Sequence, residues 1–138
     1  MSTKLLDSNV LVEIVRGNLK AITARYVDAL AERVELSVST VSIFEFRYGL
    51  ERSARHAMQA RQFERLLANM TVAPFSAADA ERTARLKADL AARGQMIGAY
   101  DLLIAGQALA RGWTVVTGNP HEFSRVEGLK IEDWTLSA

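Results

Sequence analysis

Asp7, Glu45, Asp101 and Glu122 share a setting: each lies near the point where a short apolar run gives way to a helical or turn pattern, and Asn119 stands just ahead of the last. Where strands hand over to loops in an open α/β sheet, binding groups collect at the carboxyl ends. Carboxylates placed there suit a hard divalent cation such as Mg²⁺ or Mn²⁺, which takes oxygen ligands from residues far apart in sequence and completes its shell with water and substrate phosphate. Gathered acids without a counter-ion would repel one another and raise their own pKa values, so a cluster of this kind implies a cation.

Each acid also has a purely structural reading. Asp7 in Lys4-Leu5-Leu6-Asp7-Ser8-Asn9 could cap the helix that follows. Ser42-Ile43-Phe44-Glu45 has capping-box spacing, although helical periodicity beginning at Thr40 would carry Glu45 past the first turn. Asp101 opens an apolar helix whose macrodipole favours any carboxylate. Gly118-Asn119-Pro120 is ordinary turn chemistry. The position that completes the acidic set is open between Asn119 and Glu122.

Other chemistries have less support. There is no cysteine, which removes disulfides, thiolate metal sites and a thiol nucleophile. His56 and His121 lack the paired spacing of a zinc site. His56 reads as a surface residue and His121 as a candidate substrate contact. The glycines stand singly, with neither a phosphate-binding loop nor a nucleophile elbow. Arg47, Arg52, Arg55, Arg61 and Arg65 form a basic helical region near Glu45 that is either a solvated face or a contact for a phosphate backbone.

The elements that must position these residues alternate. Leu5-Leu6 reads as a first strand, and Ser8 to Val15 as a helix capped by Ser8 and stopped at Gly17. Leu19 to Val34 carries Ile22, Tyr26, Ala29 and Leu30 at helical steps, with Arg25, Asp28 and Glu32 opposite. Leu36 to Ser39 is a second strand, Thr40 to Arg52 a helix with Val41, Ile43, Phe44 and Phe46, and His56 to Asn69 another helix. Thr71 to Pro74 is a short extended piece. Ser76 caps the next helix, which Gly94 ends, and Asp101 to Ala110 is a nearly apolar, buried helix. Trp113 to Thr117 is the strongest strand, and Leu129 to Ile131 a last short one. This order predicts an α/β fold, a single domain over residues 1–138, with a short parallel central sheet flanked by helices on both faces.

Composition agrees with that reading. With 49% hydrophobic and 24% charged residues in 138, the chain can bury one core and is neither disordered nor fibrous. A formal charge of +1 gives no global attraction to nucleic acid, so any such contact must be a local patch. No run is long enough to span a bilayer and the N-terminus has no signal-peptide pattern, so a cytoplasmic protein with no membrane contact is expected.

Taken in order, Leu6-Asp7-Ser8-Asn9, Glu45-Phe46-Arg47-Tyr48-Gly49, Ile97-Gly98-Ala99-Tyr100-Asp101-Leu102-Leu103-Ile104-Ala105, Val116-Thr117-Gly118-Asn119-Pro120-His121-Glu122-Phe123 and the closing Ile131-Glu132-Asp133-Trp134 resemble the PIN-domain family, and within it the VapC toxins of bacterial toxin–antitoxin pairs. The resemblance covers nearly the whole chain. It implies a PIN-like fold and a Mg²⁺- or Mn²⁺-dependent endoribonuclease acting on transfer or ribosomal RNA. Asp7, Glu45 and Asp101 fall on the acidic positions of the family, with Asp7 and Asp101 as the main metal ligands. Glu122 and Asn119 rank below them. Ser8 departs from the threonine of many relatives, a chemically mild change.

The resemblance further implies a homodimer, a cognate VapB-type antitoxin that occupies the cleft in a hetero-oligomer, and operator DNA bound only through the antitoxin. Two other readings stand beside it. One is a PIN-like module that binds RNA without cutting it. The other is a receiver-like phospho-switch, which would need a tight acidic pair after the first strand and a lysine after Thr117, whereas Asp7 is single and the next lysine is Lys130.

Overall fold

Leu5 and Leu6 are neighbours in the chain but enter opposite cores, and the same alternation separates Val115 from Val116. Strand side chains have a period of two, so a sheet that buries both must be covered on both faces. The computed structural model describes residues 3–136. Along them run β1 (Lys4–Leu6), α1 (Ser8–Arg16), α2 (Lys20–Ala31), β2 (Leu36–Ser39), α3 (Thr40–Glu51), α4 (His56–Leu67), β3 (Thr71–Ala73), α5 (Ala77–Ala92), α6 (Ala99–Arg111), β4 (Thr114–Thr117), α7 (Pro120–Phe123) and β5 (Lys130–Asp133).

The strands form one five-stranded sheet in the order β3-β2-β1-β4-β5, with every neighbouring pair parallel. Leu6, Val38 and Val116 pack with Val10, Leu11, Ile22, Phe46 and Phe63 on one face. Leu5 and Val115 pack with Leu86, Leu90, Leu102 and Ile104 on the other. The chain passes outward from β1 through β2 to β3 and then returns to lay β4 on the other side of β1. That reversal opens a crevice at the carboxyl ends of β1 and β4, where ligands bind in open α/β sheets. Receiver and flavodoxin sheets run 2-1-3-4-5, so the observed order sets the receiver-like reading aside.

The expected elements are present, and the differences are local. Ser8 does not cap α1; Asp7 does, in extended backbone (φ −76, ψ 169), accepting from the Val10 N–H at 3.0 Å. Gly17 ends that helix in the left-handed region at φ 70. The cap of α3 is Ser39, which places Glu45 inside the helix and excludes the capping-box reading. The Gly118 to Pro120 turn opens α7, a single helical turn with Pro120 at its start, where its fixed φ suits the helix and its missing N–H costs nothing. Leu30 and Phe44, counted above among periodic apolar residues, are 37% and 55% exposed.

Helix α6 carries Asp101, and its placement depends on close packing against α5. Gly106 makes this contact: a Cβ there would lie 1.8 Å from Thr83 Oγ1 and 2.9 Å from Thr83 Cα. At the other end of the pair, Arg111 donates to both oxygens of buried Asp79 at 2.8 and 3.2 Å and to the Pro74 carbonyl at 2.6 Å. Burial pushes the Asp79 carboxyl up, but the Arg111 guanidinium and the Ser76 cap outweigh it and hold the group below the usual carboxylate range. Gly106→Ala should therefore force the helices apart and cost about 1–3 kcal/mol or more. Thermal unfolding followed by circular dichroism checks this, and an unchanged Tm would contradict so tight an approach.

Candidate active site

The acids are delivered to the β1–β4 crevice by four different elements. Asp7 ends β1, its backbone N–H bonded to the Val116 carbonyl of β4 at 3.0 Å, and it is only 3% exposed. Parallel pairing of Leu6 with Val116 sets Thr117 beside it. Glu45 comes from α3 and accepts from the Ser8 hydroxyl at 2.5 Å. Asp101 lies in the first turn of α6. Glu122 lies in α7 and accepts from the Gly98 N–H at 3.4 Å. A Cβ placed on Gly98 would stand 3.5 Å from both Asp101 Oδ2 and Glu122 Oε2, so those two carboxylates converge on one point.

Their electrostatics follow from the convergence. Burial pushes the Asp7 carboxyl up and the Glu45 charge adds to it, while the Thr117 hydroxyl and the N–H groups of Val10 and Asn9 pull the other way. Asp101 is pushed up to about 7, first by loss of water, then by its hydrogen bond and charge contact with Glu122, then by the charges of Asp7 and Glu45. Glu122 moves down because Asp101 donates to it, with the Gly98 N–H and the charges of Arg125 and His121 in support, against some burial. Asp101 and Glu122 thus share one proton, with Asp101 as its holder.

Not every expected residue joins this group. Asn119 begins α7 without a side-chain capping bond and lines a small cleft with Asn9, Gly118 and Thr135. His121 is exposed but close enough to act on Glu122. His56 is exposed, its Nδ1 2.9 Å from the Leu50 carbonyl. In the basic region, Arg47 is committed to Glu64, and Arg52 lies over the Tyr48 ring. Sequence reasoning missed the supporting groups Ser8, Thr117 and the Gly98 N–H. Thr117 ends the strongest strand of the sequence, but its place beside Asp7 depends on the β1–β4 register, and a backbone N–H leaves no mark in a sequence.

The donor set fits a hard cation. It offers oxygen alone, it is partly desolvated, and the charges acting on Asp101 from its neighbours are all negative. Among the described residues no three of the acids or histidines already form a closed cage. A divalent ion here would be held by one or two carboxylates and completed by waters and substrate phosphate. Asp7 can serve both as cap and as ligand, because capping uses one of its two oxygens.

A five-stranded parallel sheet with carboxylates gathered at its switch point defines a class of α/β domain with an acid-lined crevice. The family model for the PIN domain matches residues 4–129, and the chain belongs to that family. Its similarity to the tRNA(fMet)-specific endonuclease VapC of Shigella flexneri is 31% identity over 131 residues, covering 95% of this chain and 97% of the relative. The fold resembles the crystal structure of DNA-bound VapBC from Salmonella typhimurium with a TM-score of 0.88 and 30% identity, over 97% of this chain and 99% of that one. VapBC2 from Rickettsia felis, bound to a promoter DNA fragment, gives a TM-score of 0.88 at 27% identity, over 96% and 98% of the two chains.

The raised Asp101 carboxyl has a measurable consequence in metal-free protein. Folded Asp101 titrates at about 7, against about 3.9 for an unfolded aspartate, so the folded state binds this proton more tightly. Its contribution to stability is complete below the unfolded value and is lost as pH rises through about 7. The Tm of the metal-free protein should fall between about pH 5 and about pH 8, and Asp101→Asn should flatten that fall. Equal slopes for the two proteins would contradict the shared-proton arrangement.

Proposed function

We infer that this chain is a metal-dependent endoribonuclease of the VapC type, hydrolysing phosphodiester bonds in RNA, with transfer RNA as the first substrate class to test. The observation that carries this reading is the meeting of Asp7, Glu45, Asp101 and Glu122 in one crevice, close enough that the Glu45 charge acts on Asp7 and those of Glu122, Asp7 and Glu45 act on Asp101. Asp7 and Asp101 would hold Mg²⁺ or Mn²⁺. Bound there, the ion would supply charge neutralisation at the phosphodiester and acidify a water molecule.

The protein's own groups have separate tasks. Asp7 is fixed by its capping bond and by burial, so its carboxylate meets the ion without a rotamer search. The Ser8 hydroxyl orients Glu45, which faces the same space from α3. Glu122, anchored on the Gly98 N–H, receives a hydrogen bond from Asp101 and can take over the proton that Asp101 must release before it binds a cation. Asn119 is the weaker candidate for completing the set, from the neighbouring cleft.

The relatives solved as VapBC complexes, two of them on DNA, support a regulated toxin. We propose a homodimer that joins a VapB-type antitoxin in a hetero-oligomer and reaches operator DNA through that partner. Cytoplasmic residence follows from this role; among the described residues no helix is long and apolar enough to cross a membrane.

Asp7→Asn keeps an equally good helix cap while removing the charge. It should fold normally and lose more than about 100-fold in cleavage, because even changes behind the direct ligands of a metal cost about 10–100-fold. Cleavage of total RNA with mapped ends, with and without EDTA, measures this. Near-wild-type cutting by well-folded Asp7→Asn would refute the assignment, and EDTA-insensitive cutting would refute the cation.

A further inference from the structure

Helix α3 exposes aromatic surface beside the acids that neither core uses. Phe44 is 55% and Tyr48 57% exposed, and Tyr100, adjacent to Asp101 in the chain, is 45% exposed. Single exposed apolar residues are commonplace, but a contiguous group marks a contact site. The Phe44 and Tyr100 rings lie 5.8 Å apart, tilted by 58°. Together with Glu45 and Tyr48 they line a cleft of about 500 Å³. Glu45 therefore belongs both to this cleft and to the acidic crevice, where its charge acts on Asp7 and Asp101.

Residues four apart on a helix are neighbours, so Phe44, Tyr48 and Arg52 make a stripe about 12 Å long. Arg52 ends it, with its guanidinium 5.6 Å from the centre of the Tyr48 ring. Its side chain is exposed and has no carboxylate partner among the described residues.

We propose that this stripe is a nucleobase-stacking platform: an unpaired base next to the scissile phosphate stacks on Phe44 and Tyr100, and Arg52 takes a phosphate further along the same strand. The proposal rests on the ribonuclease reading and narrows its substrate to RNA whose bases are free at the cut. Exposed rings followed by a guanidinium with no carboxylate partner among the described residues match the alternating needs of a single strand, bases to cover and phosphates to neutralise. An apolar protein partner would satisfy the rings and leave the cation without a role. A base inside a duplex has both faces stacked already, so the platform selects loops, bulges and ends.

Two measurements on a synthetic hairpin RNA test this. In the first, 2-aminopurine replaces one loop base after another, and its fluorescence is followed on titration with Asp7→Asn protein, which binds without cutting. At one loop position the signal should be quenched, and Phe44→Ala or Tyr100→Ala should abolish the quenching, whereas Tyr100→Phe retains it. In the second, kcat/KM is compared for the intact hairpin and for one with an abasic site beside the mapped cut.

Each alanine variant should lose roughly 5- to 140-fold on intact RNA, the equivalent of about 1–3 kcal/mol of stacking, and little more on abasic RNA. Equal losses on both RNAs, or an unquenched signal at every loop position, would overturn the proposal while leaving the ribonuclease reading in place. A wild-type protein that quenches the probe but cuts no RNA would overturn the ribonuclease reading alone. Dissociation of a dimer by Phe44→Ala, measured by light scattering, would show that a second copy covers the stripe and would also overturn the proposal.

Discussion

Repulsion between carboxylates held away from water is the constraint on which the structure turns. Asp7 is buried at the end of the central strand, and Asp101 keeps its proton to about neutrality because it is shielded from water and because Glu122, Asp7 and Glu45 surround it. The same chain shows the alternative treatment of an acid. Asp79 is equally buried but lies in the fork of Arg111. Glu132 is satisfied by Lys4, Arg25 and Trp134, whose hydrogen bonds outweigh burial and hold it below the usual range. Paired acids stabilise the fold, and the unpaired ones in the crevice oppose it until a cation arrives.

Such a destabilised cluster persists only if the scaffold leaves it nowhere to relax. Both sheet faces are covered by separate cores, β1 is bonded on either side by β2 and β4, and α6 is fastened to α5 at Gly106 and at Arg111. Asp7, Glu45 and Asp101 are therefore attached to elements whose positions are decided elsewhere in the molecule. Local consistency across the fold and local conflict at one crevice is the pattern expected of a functional site.

Much of this was legible in the residues. The strand–helix alternation, the parallel sheet and the cap at Ser76 follow from periodicity and from turn chemistry, because each is decided within a few residues. Asp7, Glu45 and Asp101 were identified as a set, since acids at strand ends are conspicuous and the family resemblance orders them. What escaped was relational. Ser8 was read as a cap, although the hydroxyl is directed to Glu45, 37 residues away. Which of Glu122 and Asn119 stands beside Asp101 depends on the side of a single helical turn each occupies, and a three-residue spacing does not settle that. Phe44 has the periodicity of a core residue but an exposed ring, because α3 already has Phe46 and Leu50 facing inward.

Helix α3 joins two roles on consecutive residues, a ring at 44 and an acid at 45, and it does so on one rigid segment with no hinge between them. Both line one cleft, so a molecule that fills it meets ring and acid together. On the proposed roles, substrate grip and cleavage would be blocked together rather than one at a time.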